Sequence, residues 1–211
     1  MSNFKISLAN YTFEIPKNKN IIIIATNRTG STALGDLLSQ LTKVPFLGEF
    51  FHSNPNRFTN KSDLCQQHII KIMPDQMPSQ NYRELLFGNS FIIGLYREDV
   101  IAQVLSNAIA IKINSWQQKN FSNWQQEKNT ESVLIHNDFE ISNKQFLHCA
   151  KILQDSRSRW TTYRDFFNVT LCYEQLVPDL EKSRYDVMPK IKSYDDTLAH
   201  FRSLYGNEVL L

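Results

Sequence analysis

Arg28, Thr29, Gly30, Ser31 and Thr32 form a short run with the chemistry of an anion cradle. Arg28 carries a permanent charge on a planar fork that matches phosphate or sulfate oxygens. Ser31 and Thr32 add hydroxyl donors, and Gly30 lets backbone approach a ligand closely and accepts a positive φ. Further along stand Glu49, an acid set among Phe46, Phe50 and Phe51, then Lys71 inside an apolar run, and Arg97 with Ser106 nine residues on. A carboxyl buried beside aromatic rings becomes a usable base, whereas the same acid on a solvated loop does nothing.

The elements that must position these groups are readable. Ile21–Ile24 is an unbroken β-branched run that stops at Ala25, the pattern of a central strand covered on both faces. After the loop, Leu34, Leu37, Leu38 and Leu41 fall at helical spacing. A strand, a tight loop and a helix aim the first free N–H groups and the positive end of the helix dipole at whatever sits in the loop. An ordinary turn with Ser31 or Thr32 as a helix N-cap fits the same residues. The loop is not that of a nucleotide triphosphatase, because Ala25 stands for its first glycine and Ser31 for its lysine. Binding of magnesium and ATP is therefore disfavoured.

His68–Met73 reads as a second buried strand, where Lys71 either snorkels out at an edge or faces a polar cleft. Phe91–Tyr96 is a third strand, ending at Arg97, with Asp99 at the start of a helix through Val100, Ile101, Val104, Leu105 and Ala108. Arg97 thus falls at a strand's carboxyl end, where open parallel sheets bind ligands. A long helix is expected from Phe139 to Phe167, with Phe146, Ala150, Leu153, Trp160 and Phe167 as its packed stripe and Lys151, Arg157, Arg159 and Arg164 on a solvated face. Asn168–Tyr173 is a fourth strand. Phe4–Leu8 and Tyr11–Ile15 suit a hairpin or edge strands, and Val44–His52 reads as a loop. Gln117–Thr130, polar with Phe121 and Trp124 embedded, reads as a surface loop or as a lid over an acceptor. Alternation of strands and helices predicts one α/β domain over residues 1–211, a three-layer sandwich around a mostly parallel sheet.

Composition excludes some classes. A net charge of +2 over 211 residues lacks the concentrated basic face of a non-specific nucleic-acid binder. Three scattered cysteines, Cys65, Cys149 and Cys172, form neither a disulfide framework nor a metal spacing. No apolar run reaches the length of a membrane span. These features predict a soluble, cytoplasmic protein with no nucleic-acid partner.

ATNRTGST resembles the phosphosulfate loop of P-loop sulfotransferases, and more narrowly that of the bacterial trehalose-2-sulfotransferase-like family. Asn27 departs from the proline usual there. Glu49-Phe50-Phe51 is similar to the family segment that carries its proposed base. REDVIAQVLS reproduces the family spacing of Arg97, Gln103 and Ser106, and Tyr173-Glu174-Gln175-Leu176 matches a strand-end motif whose role looks structural. The resemblance runs from the loop to Leu176. It implies 3′-phosphoadenosine 5′-phosphosulfate as co-substrate and an acceptor hydroxyl on a carbohydrate or small molecule. By this resemblance Thr29, Gly30, Ser31 and Thr32 hold the 5′-phosphosulfate, Arg28 stabilises the leaving oxygen, and Glu49 takes the acceptor proton. Arg97 and Ser106 hold the 3′-phosphate, and Lys71 lies near the substrate. Outside the resemblance, His52 is a second candidate base or a substrate contact, although a lone histidine is more often structural, and Trp116 is a further substrate candidate. Lys190, Lys192 and Ser193 are candidates for a closing basic loop. No metal is demanded, and a homodimer is the family-based expectation. The rival readings are a P-loop kinase or nucleotide-binding protein and a non-catalytic donor-binding module.

Overall fold

The computed structural model describes residues 2–49, 51, 67–112, 140–180 and 194–206. Among them, seven strands and six α-helices alternate: β1 (Asn3–Leu8), β2 (Tyr11–Pro16), β3 (Asn20–Ala25), α1 (Ser31–Thr42), β4 (Phe46–Glu49), β5 (Ile69–Ile72), α2 (Gln80–Gly88), β6 (Ser90–Tyr96), α3 (Val100–Lys112), α4 (Asn143–Thr161), β7 (Val169–Cys172), α5 (Tyr173–Leu180) and α6 (Tyr194–Tyr205). Five strands form a parallel sheet in the order β4-β5-β3-β6-β7. β1 and β2 pair antiparallel as a separate hairpin.

The isoleucine run explains the layers. Alternate strand residues face opposite sides. Ile21, Ile23 and Ala25 pack with Leu34, Leu37 and Leu38 of α1, with Leu176 and Leu180 of α5, and with Ile6, Leu8 and Ile15 of the hairpin. Ile22 and Ile24 face the other way, onto Ile70, Ile72, Ile92, Leu86 and Phe87 of α2, and Trp160 of α4. Covering on both faces is why β3 tolerates no polar residue between Ile21 and Ala25. A third apolar cluster joins α3, α4 and α6 through Val104, Phe146, Leu153 and Phe201. The fold is α/β, a P-loop-type three-layer sandwich. No helix among the described residues is long and apolar enough to cross a membrane.

Three sequence expectations are corrected. Part of the stretch read as a loop, Phe46–Glu49, is an edge strand beside β5, because pairing with β5 supplies the hydrogen bonds that its Pro and Gly neighbours withhold locally. The long helix starts at Asn143, after Ser142 and Gln145 make a capping box, and stops at Thr161. Phe167 then lies outside it and covers Gly94 of β6, where a side chain would meet the ring at 2.2 Å. Arg157 is not on a solvated face: its guanidinium turns inward to the carboxyl ends of the strands.

Candidate anion site at the carboxyl ends of the strands

The loop after β3 is held open by its own carbonyls. Thr29 Oγ1 donates to the Thr26 carbonyl at 2.9 Å, Gln103 Nε2 to the Asn27 carbonyl at 2.5 Å, and Arg97 Nη1 to the Arg28 carbonyl at 3.4 Å. In a planar trans peptide the following N–H points away from the C=O. Pinning three successive carbonyls therefore turns the N–H groups of Asn27, Arg28 and Thr29 toward the opposite side of the loop, where an anion would sit. Two residues adopt left-handed backbone, Arg28 at φ 61° and Gly30 at φ 73°. For arginine that conformation costs about 1 kcal/mol or more and persists only where surroundings enforce it. Gly30 meets a second demand, since a Cβ there would lie 2.7 Å from the Tyr173 ring. Gly30, with no side-chain cap bond, is the N-cap of α1, so neither Ser31 nor Thr32 spends its hydroxyl in that role.

Cations from three other places, Lys71, Arg97 and Arg157, gather around this loop and its own Arg28. Lys71 of β5 is buried; its ammonium pairs with Glu49 Oε1 at 2.7 Å and donates to Thr32 Oγ1 at 2.7 Å. Burial, opposed by the Glu49 charge, holds the Lys71 pKa below its usual range. Gln76 Nε2 donates to the other Glu49 oxygen at 3.3 Å. The Thr32 hydroxyl oxygen is thus engaged by the Lys71 ammonium. Arg28 Nε donates to Ser106 Oγ at 3.1 Å. Burial and then the neighbouring Arg97 charge depress the Arg28 pKa, the mark of two guanidinium groups sharing a partly desolvated space.

Arg97, at the end of β6, lies with its guanidinium carbon 4.7 Å from the centre of the Tyr173 ring and its Nε 3.3 Å from Glu174 Oε1. Near it, burial raises the Tyr194 phenol pKa against the pull of the Arg97 charge. Arg157 of α4 donates to the Arg97 carbonyl at 2.9 Å and reaches Gln103 Oε1 at 3.5 Å. Burial lowers its pKa and the Glu174 charge opposes that. Gln103, fully buried on α3, also donates to Thr26 Oγ1 at 2.8 Å.

Of the residues singled out from the sequence, Arg28, Thr29, Gly30, Ser31, Thr32, Glu49, Lys71, Arg97 and Ser106 all lie at this end of the sheet. Thr29 contributes through backbone, its buried hydroxyl being turned into the loop. His52, Trp116, residues 117–130, Lys190, Lys192 and Ser193 lie outside the described residues. Arg157, Gln76 and Tyr194 were not legible as site residues. A signal for Arg157 existed: it stands on the stripe of Leu153 and Trp160, at helical spacing, where a charge has to find a polar partner inside.

No family model matches the chain, and no curated protein sequence matches it. Among solved structures, it is similar to mouse sulfotransferase SULT7A1 complexed with PAP, at 12% identity and a TM-score of 0.45, over 96% of this chain and 76% of that one. It is also similar to shikimate kinase from Acinetobacter baumannii in complex with shikimate, at 11% identity and a TM-score of 0.34, over 92% of this chain and 97% of that one.

Proposed function

We propose that this protein is a sulfotransferase that moves a sulfuryl group from 3′-phosphoadenosine 5′-phosphosulfate to the hydroxyl of a carbohydrate or small molecule. The observation that carries this reading is the convergence of Arg28, Arg97 and Ser106. Arg97 lies 69 positions and Ser106 78 positions beyond Arg28 in the chain, and both are hydrogen-bonded to it. Two guanidinium groups beside an outward-turned backbone loop suit a ligand with separate anionic groups. A plain 5′-phosphate would use only one of them.

Transfer of a sulfuryl group resembles phosphoryl transfer, an in-line displacement in which positioning and electrostatics supply most of the rate. The co-substrate supplies the activated sulfur–oxygen bond. The N–H groups of the loop, with Ser31 and Thr32, hold the phosphosulfate oxygens. Glu49 takes the acceptor proton as the acceptor oxygen bonds to sulfur. Arg28 meets the charge that grows on the bridging oxygen as its bond to sulfur breaks, and Lys71 fixes the carboxylate beside Thr32. Two buried free thiols, Cys149 and Cys172, suit a reducing, cytoplasmic setting.

Calorimetry against adenosine 3′,5′-bisphosphate, ATP with magnesium, and adenosine 5′-monophosphate tests the reading. The bisphosphate is expected to bind most tightly without added metal. Preference for ATP with magnesium would favour a kinase, and no response to the bisphosphate at millimolar concentration would end the proposal.

A further inference from the structure

The carboxylate of Glu174 collects donors from three directions. Arg97 Nε reaches Oε1 at 3.3 Å, the Asp99 N–H reaches Oε1 at 3.2 Å, and the Glu98 N–H reaches Oε2 at 3.0 Å. The Cys172 thiol adds a fourth contact at 3.2 Å. One carboxylate on α5 therefore holds the side chain of Arg97 and the backbone that follows it.

An arginine has five N–H donors in a rigid fork on a flexible stem. Holding that stem costs conformational entropy whenever a ligand has to do it. Here the protein does it beforehand. Nε is committed to Glu174, Nη1 to the Arg28 carbonyl, and the guanidinium carbon lies over the Tyr173 ring. Arg157 holds the carbonyl of the same residue. What remains of the fork faces one fixed direction. Glu174 also offsets part of the Arg97 charge, so what this contact adds to anion binding is direction rather than charge.

We infer that Glu174 is the positioning residue through which the site distinguishes an adenylate with two separate phosphates from one with a single phosphate. This rests on the reading of Arg97 as the second phosphate contact.

The test is calorimetric titration of the full chain with adenosine 3′,5′-bisphosphate and with adenosine 5′-monophosphate. In wild type the bisphosphate should be preferred. Glu174→Gln should reduce that preference by about tenfold while changing monophosphate affinity by less than about threefold. Glu174→Asp, which keeps the charge but retracts it, should give a smaller loss in the same direction and serves if the first variant melts early. Arg97→Met should remove the preference, and adding Glu174→Gln to it should cost nothing further, because the two act as one unit. Equal losses for both nucleotides, or an independent loss in the Arg97→Met background, would make Glu174 a helix-end support and overturn the inference alone. A wild type without the preference would overturn the functional reading, and this inference with it.

Discussion

The Lys71 ammonium stands 2.7 Å from a carboxylate oxygen of Glu49, with the two residues on neighbouring parallel strands. Both side chains are largely buried, and the Thr32 hydroxyl accepts from the same ammonium. Removing one member of a buried pair leaves an uncompensated charge. Lys71→Met is therefore expected to lower stability by about 3 kcal/mol, read from urea denaturation. Glu49→Gln keeps the shape and removes the base, so turnover should fall by about a hundredfold or more with bisphosphate affinity nearly intact. A matching loss of nucleotide affinity would reassign Glu49 to binding or folding.

Gln103 ties α3 to the loop through Thr26 and Asn27 and accepts from Arg157. Gln103→Leu preserves bulk but leaves the Asn27 carbonyl without that donor. A stability cost of about 1–3 kcal/mol is expected. Because that carbonyl orients the next N–H, affinity for adenosine 3′,5′-bisphosphate should fall as well. Denaturation and calorimetry on the same sample separate the two effects. Unchanged affinity would mean that the loop holds its shape without Gln103.

Gly94 lies in the middle of β6, and the Phe167 ring occupies the space a side chain would take. Gly94→Ala forces that ring off its seat against Trp160, whose ring centre is 5.1 Å away. The expected cost is about 1–3 kcal/mol with an unchanged denaturant slope. A neutral result would show that Phe167 repacks freely.

The acid limb of stability should report Glu174. Burial pushes its carboxyl pKa up, but the amides of Glu98 and Asp99 and the Cys172 thiol outweigh that, and the net shift is downward from 4.5. The folded state then binds fewer protons than the unfolded chain in this range, so stability rises with pH and is lost as pH falls below about 4.5. Melting temperature between about pH 7 and pH 3 should fall less steeply for Glu174→Gln than for wild type. Parallel curves would show that the contacts of Glu174 do not favour its charged form.

Local residue order determined every strand except β4, and the loop after β3 with the residue types it carries. Four isoleucines in a row can only be covered on both faces, and Arg28 to Thr32 carry their chemistry in types and spacing that lie within one turn. The same holds for Arg97 and Ser106, which share one strand-to-helix unit. Tertiary structure decided the rest. Glu49 became a strand residue because β5 lies beside it, and buried Lys71 found its partner because that pairing brings the carboxylate to it. Arg157 entered the site because the packing of α4 turns its stripe inward, and Glu174 reached Arg97 because β7 lies next to β6. Partners between 22 and 77 positions apart are set by strand order and helix packing, for which neighbouring residues carry no signal.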